Sequence, residues 1–299
     1  MKDNRFASLT VLLVAASLVL AAPALAQLAA SSLEGLERVV ATRDVDYLAG
    51  TDYAEGKDKL DLFMPAGVVD APVIVFFHGG GLMNGNKSQG ELLARRLVPE
   101  GVGVVSANYR LSPGVMHPAH IQDAAAALAW AIKNIARFGG DAGRVYLSGH
   151  SAGAYLATLL ALDPTYLAVH ELGLEAVRGT IPISPFLYVE ETAKERPKTV
   201  WGEDPQAWLK ASVTPHIGLG KGSMLLIYAD GDDDWRKEQN ETFGKAMRAA
   251  GNSDIRAVEV PNRNHGSLMT KINEPDDQIG GLALRFIKGG GPAALPSSD

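Results

Sequence analysis

The stretch Val145-Tyr146-Leu147-Ser148-Gly149-His150-Ser151-Ala152-Gly153-Ala154-Tyr155-Leu156 decides how the rest of the chain reads. Its first three residues form a short apolar run, the kind expected of a strand covered on both faces. The residues from Ala152 to Leu162 are small or aliphatic helix formers with almost no polar content. Between the two lies Gly149-His150-Ser151-Ala152-Gly153. A bare Gly-x-Ser-x-Gly arises by chance in roughly one chain in ten of this length, so its setting must carry the meaning. A sharp turn from a buried strand into a helix strains the central serine and lifts its hydroxyl above the sheet, and small neighbours let strand and helix approach. That setting is present here, which makes Ser151 a candidate nucleophile rather than a serine that only caps a helix.

The same punctuation recurs on both sides of this stretch. Val73 to Phe77 and Val102 to Ser106 are further continuous apolar runs, Glu91 to Leu97 can be helical between them, and Ile121, Ala125, Leu128, Ile132 and Ile135 form one helical stripe before Gly139-Gly140. Leu60-Asp61-Leu62-Phe63-Met64 alternates like a half-buried strand and ends at Pro65-Ala66-Gly67. On the far side, Thr180 to Ile183, Met224 to Tyr228 and Ile255 to Val260 read as strands, with helices over Lys237 to Ala250 and Gln278 to Ile287. Such alternation predicts one α/β domain with a doubly wound, mostly parallel sheet that presents ligands at the carboxyl ends of its strands. One stretch breaks the rhythm. Residues 185–222 hold Phe186, Tyr188, Trp201 and Trp208 among Pro185, Pro197, Pro205 and Pro215, and so long a connection suggests a small cap insertion.

The chemistry gathers at strand ends. Directly after Val73 to Phe77 comes His78-Gly79-Gly80-Gly81. Acyl transfer places negative charge on a carbonyl oxygen, and glycines let backbone N–H groups approach it, so Gly80 and Gly81, with Ala152 just after the serine, are candidate oxyanion-hole donors. The segment from Gly80 to Ser88 misses the strict phosphate-loop pattern because Asn86 separates Gly85 from Lys87. His78 reads as a structural loop residue. A serine nucleophile needs a base, and the base an orienting carboxylate. Of the seven histidines, only His265, in Asn262-Arg263-Asn264-His265-Gly266, lies beyond an acid-bearing loop that follows a late strand. That loop, Ala229-Asp230-Gly231-Asp232-Asp233-Asp234, offers four carboxylates for one role, at a spacing unlike a calcium loop.

Composition excludes several alternatives. With 28 Lys and Arg against 34 Asp and Glu and no basic run, nucleic acid is not an expected partner. The absence of Cys removes disulfides, thiol nucleophiles and thiolate metal sites. His117 and His120 have helical spacing but no third ligand nearby, so no metal is expected. At the N-terminus, Lys2 and Arg5 precede an apolar run from Phe6 to Ala22 and the small-x-small pattern Ala24-Leu25-Ala26. This predicts a cleavable signal peptide over residues 1–26, a mature domain over residues 27–288 with no membrane association after cleavage, a disordered tail over residues 289–299, and a periplasmic or secreted location.

Five stretches together carry a resemblance: Leu60-Asp61-Leu62-Phe63-Met64-Pro65, His78-Gly79-Gly80-Gly81, Asn108-Tyr109-Arg110-Leu111, Gly149 to Gly153 and Asn264-His265-Gly266. From about Asp58 to Ile287 the chain resembles the α/β-hydrolase superfamily, in the branch of hormone-sensitive-lipase-like and feruloyl-esterase-like carboxylesterases with a short cap. The family's acid closes a His-Gly-x-x-Asp pattern, and Tyr228-Ala229-Asp230-Gly231-Asp232 aligns with it, so the resemblance implies Asp232 as the acid, with Asp233 in reserve. Asp123 and Asp141 also match the family, as structural groups. The resemblance implies a serine carboxylesterase working through Ser151, His265 and Asp232 without metal or organic cofactor, on a small-molecule ester. Leu82, Met83, Met116, Trp201 and Trp208 are the expected pocket walls, suiting short acyl or aromatic esters. An arylformamidase or amidase using the same three residues is the alternative, and a non-catalytic binding member of the fold a more distant one.

Overall fold

The computed structural model describes residues 38–193, 198–289 and 291. The expected signal peptide, Pro197 and nearly all of the expected tail lie outside the described residues. Eight strands, β1 (Val39–Asp46), β2 (Lys59–Pro65), β3 (Ala71–Phe77), β4 (Gly103–Ala107), β5 (Gly140–His150), β6 (Gly179–Ile183), β7 (Met224–Gly231) and β8 (Ile255–Asn264), form one sheet in the order β1-β2-β4-β3-β5-β6-β7-β8. β2 runs antiparallel to both β1 and β4, and the other neighbours are parallel. The helices are α1 (Gly90–Leu97), α2 (Ala119–Asn134), α3 (Ala152–Leu162), α4 (Pro164–Ala168), α5 (Val189–Thr192), α6 (Lys198–Trp201), α7 (Pro205–Ala211), α8 (Asp234–Ala249), α9 (Ser267–Thr270) and α10 (Ile279–Gly289).

The apolar runs are continuous where a strand feeds two cores, as β3 and β7 do. Val73, Val75 and Phe77 of β3 pack with α2 and α3, while Ile74 and Phe76 pack with α1 and α10. β7 divides in the same way, Met224 and Leu226 to one face and Leu225, Ile227 and Ala229 to the other. Successive side chains on a strand point to opposite faces, so a sheet covered on both sides needs apolar residues at every position.

Two readings change. β2 is not half-buried: Leu60, Leu62 and Met64 join one core and Phe63 the other, and Asp61, the polar member of the alternation, is itself buried. Asp61 survives there because it accepts from Lys87 Nζ at 2.7 Å, the Asp44 N–H at 2.8 Å and Arg43 Nη1 at 3.3 Å. Two of these partners, Arg43 and the Asp44 N–H, come from β1, a strand the sequence pattern does not mark, since Val-Val-Ala-Thr-Arg-Asp-Val-Asp is an edge strand with no buried position. The insertion between β6 and β7 carries the short helices α5, α6 and α7. Phe186, just before α5, stacks on Tyr155 of α3 at 4.7 Å, and Trp201 of α6 meets both rings edge-on. Among the described residues no helix is long and apolar enough to cross a membrane.

Candidate active site

Ser151 sits at the hinge from β5 into α3 with φ 55° and ψ −116°, conformational space that non-glycine residues rarely occupy. Two close approaches hold it there. A Cβ on Gly149 would lie 2.3 Å from the Gly153 carbonyl carbon, and one on Gly153 would lie 2.0 Å from the Phe77 carbonyl oxygen. The Ser151 N–H donates to the Ile183 carbonyl at the end of β6, tying the elbow to the next strand at 2.9 Å.

Across from it, His265 follows β8 and brings Nε2 to 2.9 Å from Ser151 Oγ. Its Nδ1 lies 3.0 Å from Asp232 Oδ1. Asp232 is 5% exposed, and its Oδ2 accepts from the Ala229 N–H at 2.9 Å and the Ser184 hydroxyl at 2.8 Å. Burial by itself would raise the Asp232 carboxyl, but His265, the Ala229 N–H and Ser184 together hold it below the usual carboxylate range. The neighbouring acids have other partners: Asp230 accepts from the N–H groups of Asn262 and Arg263, Asp234 pairs with Lys237, and Asp233 is the exposed residue preceding α8.

The glycine loop closes the other side. A Cβ on Gly79 would lie 3.4 Å from Ser151 Cβ, so this loop runs directly against the serine. Gly80 and Gly81 have φ of 117° and 66°, and the Gly80 carbonyl accepts from the Met83 and Asn84 N–H groups, turning the chain back on itself. Among the described residues the N–H groups of Gly80 and Gly81 donate to no protein acceptor, and Ala152 N–H belongs to the first turn of α3, where no intrahelical acceptor exists. His78 is structural, as expected: it is buried, stacks on Tyr109 at 4.3 Å, and burial pushes its imidazole down to about 4.

Three residues beside the site carry no sequence signal. His150 Nε2 donates to the His265 carbonyl at 2.8 Å, and burial pushes its ring down to about 4, so it is an uncharged brace. Ser184, just past β6, and Arg236 of α8 both reach Asp232, the latter with Nε at 3.8 Å from Oδ1. Of the expected pocket walls, Met83 lines a cavity of about 500 Å³ with Tyr53, Arg110, Leu111 and Val115. Met116 is 46% exposed beside Gly202, and Trp208 is half-buried. Leu82 and Trp201 do not form open walls: Leu82 is wholly enclosed in the core, and Trp201 is sealed against Tyr155, Phe186 and His117. Asp123 grips Arg110 with both oxygens, at 2.7 and 2.8 Å, while Asp141, at the start of β5, accepts from the Gly143 N–H and from Arg144 Nε. The described residues contain no cluster of groups fit to hold a metal.

This strand order, with a strained serine at the end of its fifth strand and a histidine and aspartate delivered by the last two, defines a protein of the α/β-hydrolase class. Residues 74–269 match the family model described as alpha/beta hydrolase fold, and the chain belongs to that family. It is similar to esterase LipC of Mycobacterium tuberculosis, 29% identical over 215 residues that make up 66% of this chain and 53% of that protein. It is also similar to kynurenine formamidase of Salmo salar, 26% identical over 263 residues covering 85% and 86% of the two chains. Among solved structures, esterase B from Lactobacillus rhamnosis superposes with a TM-score of 0.70 at 21% identity, over 92% of this chain and 95% of that one, a likeness of fold. The chain thus spans about half the length of the curated esterase and most of the formamidase.

Proposed function

We propose that this protein is a serine hydrolase of small carboxylic esters, with Ser151 as nucleophile, His265 as general base and Asp232 as the acid that orients it. The observation that carries this reading is the unbroken run Ser151 Oγ, His265 Nε2, His265 Nδ1, Asp232 Oδ1, with contacts of 2.9 and 3.0 Å. His265 takes the Ser151 proton as Oγ attacks the ester carbonyl, and Asp232 stabilises the imidazolium. The N–H groups of Gly80, Gly81 and Ala152 receive the developing oxyanion, His265 returns its proton to the leaving alcohol, and a water activated by the same imidazole releases the acid. No step calls for a metal or organic cofactor. The cavity beyond Met83, partly aromatic through Tyr53, suits a short acyl or aromatic group.

A second reading has its own support: the formamidase similarity runs nearly the full length of both chains, whereas the esterase similarity covers about half of LipC. The same three residues would cleave an aromatic formamide by the same steps. The basic, apolar and small-residue pattern of residues 1–26 further supports export, which N-terminal sequencing of the mature protein would test. A 4-nitrophenyl ester series from acetyl to dodecanoyl, run beside an N-formyl arylamine with wild type and Ser151→Ala, separates the two chemistries. Ester turnover that favours short chains and disappears with Ser151→Ala supports the first reading. Turnover of the formamide alone supports the second, and turnover of neither by a folded protein refutes both.

A further inference from the structure

Ser184 occupies a position that favours glycine. Its φ is 50°, its side chain is wholly buried, and its N–H donates to the Ile227 carbonyl at 2.6 Å. A residue other than glycine persists in such backbone when its side chain is used. The Ser184 hydroxyl lies 2.8 Å from Asp232 Oδ2 and 2.8 Å from His265 Nδ1, nearer to that nitrogen than Asp232 Oδ1 at 3.0 Å. An ionised carboxylate only accepts, so the single hydroxyl proton goes to Asp232, and the Ser184 oxygen is left to accept. The hydrogen on His265 Nδ1 is then shared between Ser184 and Asp232, which closes a ring of three hydrogen-bonded groups. Arg236 holds the ring from behind, donating Nη1 to the Ser184 carbonyl at 3.0 Å, while Asn240 Nδ2 donates to the Pro185 carbonyl at 3.1 Å.

We infer that Ser184 is a positioning residue of the hydrolytic site, whose hydroxyl donates to Asp232 and accepts from His265 Nδ1–H so that Nε2 stays bare and faces Ser151. The inference rests on the reading of Ser151, His265 and Asp232 given above. In the opposite tautomer Nδ1 would present a lone pair to Asp232, and Nε2, carrying the hydrogen, could not take a proton from Ser151. Ser184 thus fixes both the tautomer and the plane of the ring, two things Asp232 alone would hold through one longer contact.

Ser184→Gly gives a test in which stability and turnover part company. Glycine relieves the positive φ while the buried Asp232 loses one donor, two opposing effects that should leave the variant's unfolding temperature within a few degrees of wild type. Its kcat on 4-nitrophenyl acetate is nevertheless expected to fall about 10- to 100-fold, with KM within about two-fold, because the imidazole is no longer held in line. Ser184→Ala is expected to show the same loss of kcat. Ser148→Ala removes a buried hydroxyl that donates to the Ile181 carbonyl, away from Asp232 and His265, and should leave kcat and KM unchanged whatever it costs in stability. The low-field proton on His265 Nδ1, observed by NMR in nitrogen-15-labelled protein, should move in both Ser184 variants and stay in Ser148→Ala. Retention of kcat within about two-fold in both Ser184 variants, or an unmoved Nδ1 proton, would overturn the proposal. Should wild type turn over no ester, the hydrolytic reading fails on that ground, while the proton resonance, which needs no turnover, still decides the role of Ser184.

Discussion

Asp230, Asp232, Asp233 and Asp234 show how one residue type takes several roles within a single loop. Burial separates them: Asp232 alone is enclosed, and it alone faces His265, whereas Asp233 is exposed at the start of α8. Asp232→Asn should therefore lower kcat by about 10³- to 10⁴-fold, since an amide cannot stabilise the imidazolium and favours the wrong tautomer. Asp233→Asn should leave kcat within about two-fold, and steady-state kinetics on one ester would compare them. A crippled Asp233→Asn beside an active Asp232→Asn would reverse the assignment. Ser151, His265 and the aspartate loop were legible because each sits in a short local pattern at a strand end. Ser184, His150 and Arg236 were not, because their meaning lies in contacts across 48, 115 and 52 residues of chain that no local pattern encodes.

Among elements, the turn from β5 to α3 and the glycine loop after β3 hold two kinds of glycine, one crowded and one in positive-φ backbone, that should fail differently. A Cβ at Gly153 would meet the Phe77 carbonyl at 2.0 Å, so Gly153→Ala forces the helix off the sheet and should cost about 3 kcal/mol or more in urea unfolding. At Gly81 nothing lies within 4 Å of an added Cβ, but φ is 66°, so Gly81→Ala should cost only about 1 to 2 kcal/mol. Equal losses for the two would show that the crowding at Gly153 is relieved by easy movement. The edge of the sheet explains what the pattern concealed. β1 escapes the pattern because it carries Thr42, Arg43 and Asp44 in place of an apolar run, and Arg43 and the Asp44 N–H, together with Lys87, are the groups that let Asp61 be buried in β2. Polar residues in a strand are decoded by their partners, and those partners lie elsewhere in the chain. Lys87→Ala, which removes the nearest cation from Asp61, should cost on the order of 3 kcal/mol in the same assay; a loss below about 0.5 kcal/mol would show that Arg43 and the Asp44 N–H suffice.

At the scale of the molecule, the buried histidines set the response to acid. Burial pushes His78, His117, His120 and His150 down to about 4, below the unfolded value near 6.5. Between those values the unfolded chain binds more protons than the folded one, so stability rises with pH across that window and is lost as pH falls from about 6.5 toward 4. Each pH unit lost should cost up to about 1.4 kcal/mol per histidine. The Asp232 carboxyl, held below its ordinary range, adds stability that is fully present above the unfolded carboxylate range and is lost as pH falls below it, so the two trends act in the same direction. Urea unfolding at pH 7 and pH 5 should give a clearly lower midpoint at pH 5, and equal midpoints would mean that these rings are protonated without unfolding. The doubly wound, parallel part of the sheet was legible, since two cores on one sheet leave continuous apolar runs. The pocket walls were less so, because whether Leu82 or Trp201 faces a ligand or a neighbouring ring depends on how the loops fold back.

Covalent trapping tests whether Ser151 is the nucleophile. The folded protein is treated with diethyl 4-nitrophenyl phosphate, and its intact mass and peptides are read by mass spectrometry. One diethylphosphoryl group per chain, located on the peptide containing Ser151, formed as ester turnover disappears and missing in Ser151→Ala, is the expected result. An ester-hydrolysing protein that remains unmodified, or that carries the group on another residue while Ser151→Ala still turns over, would contradict it.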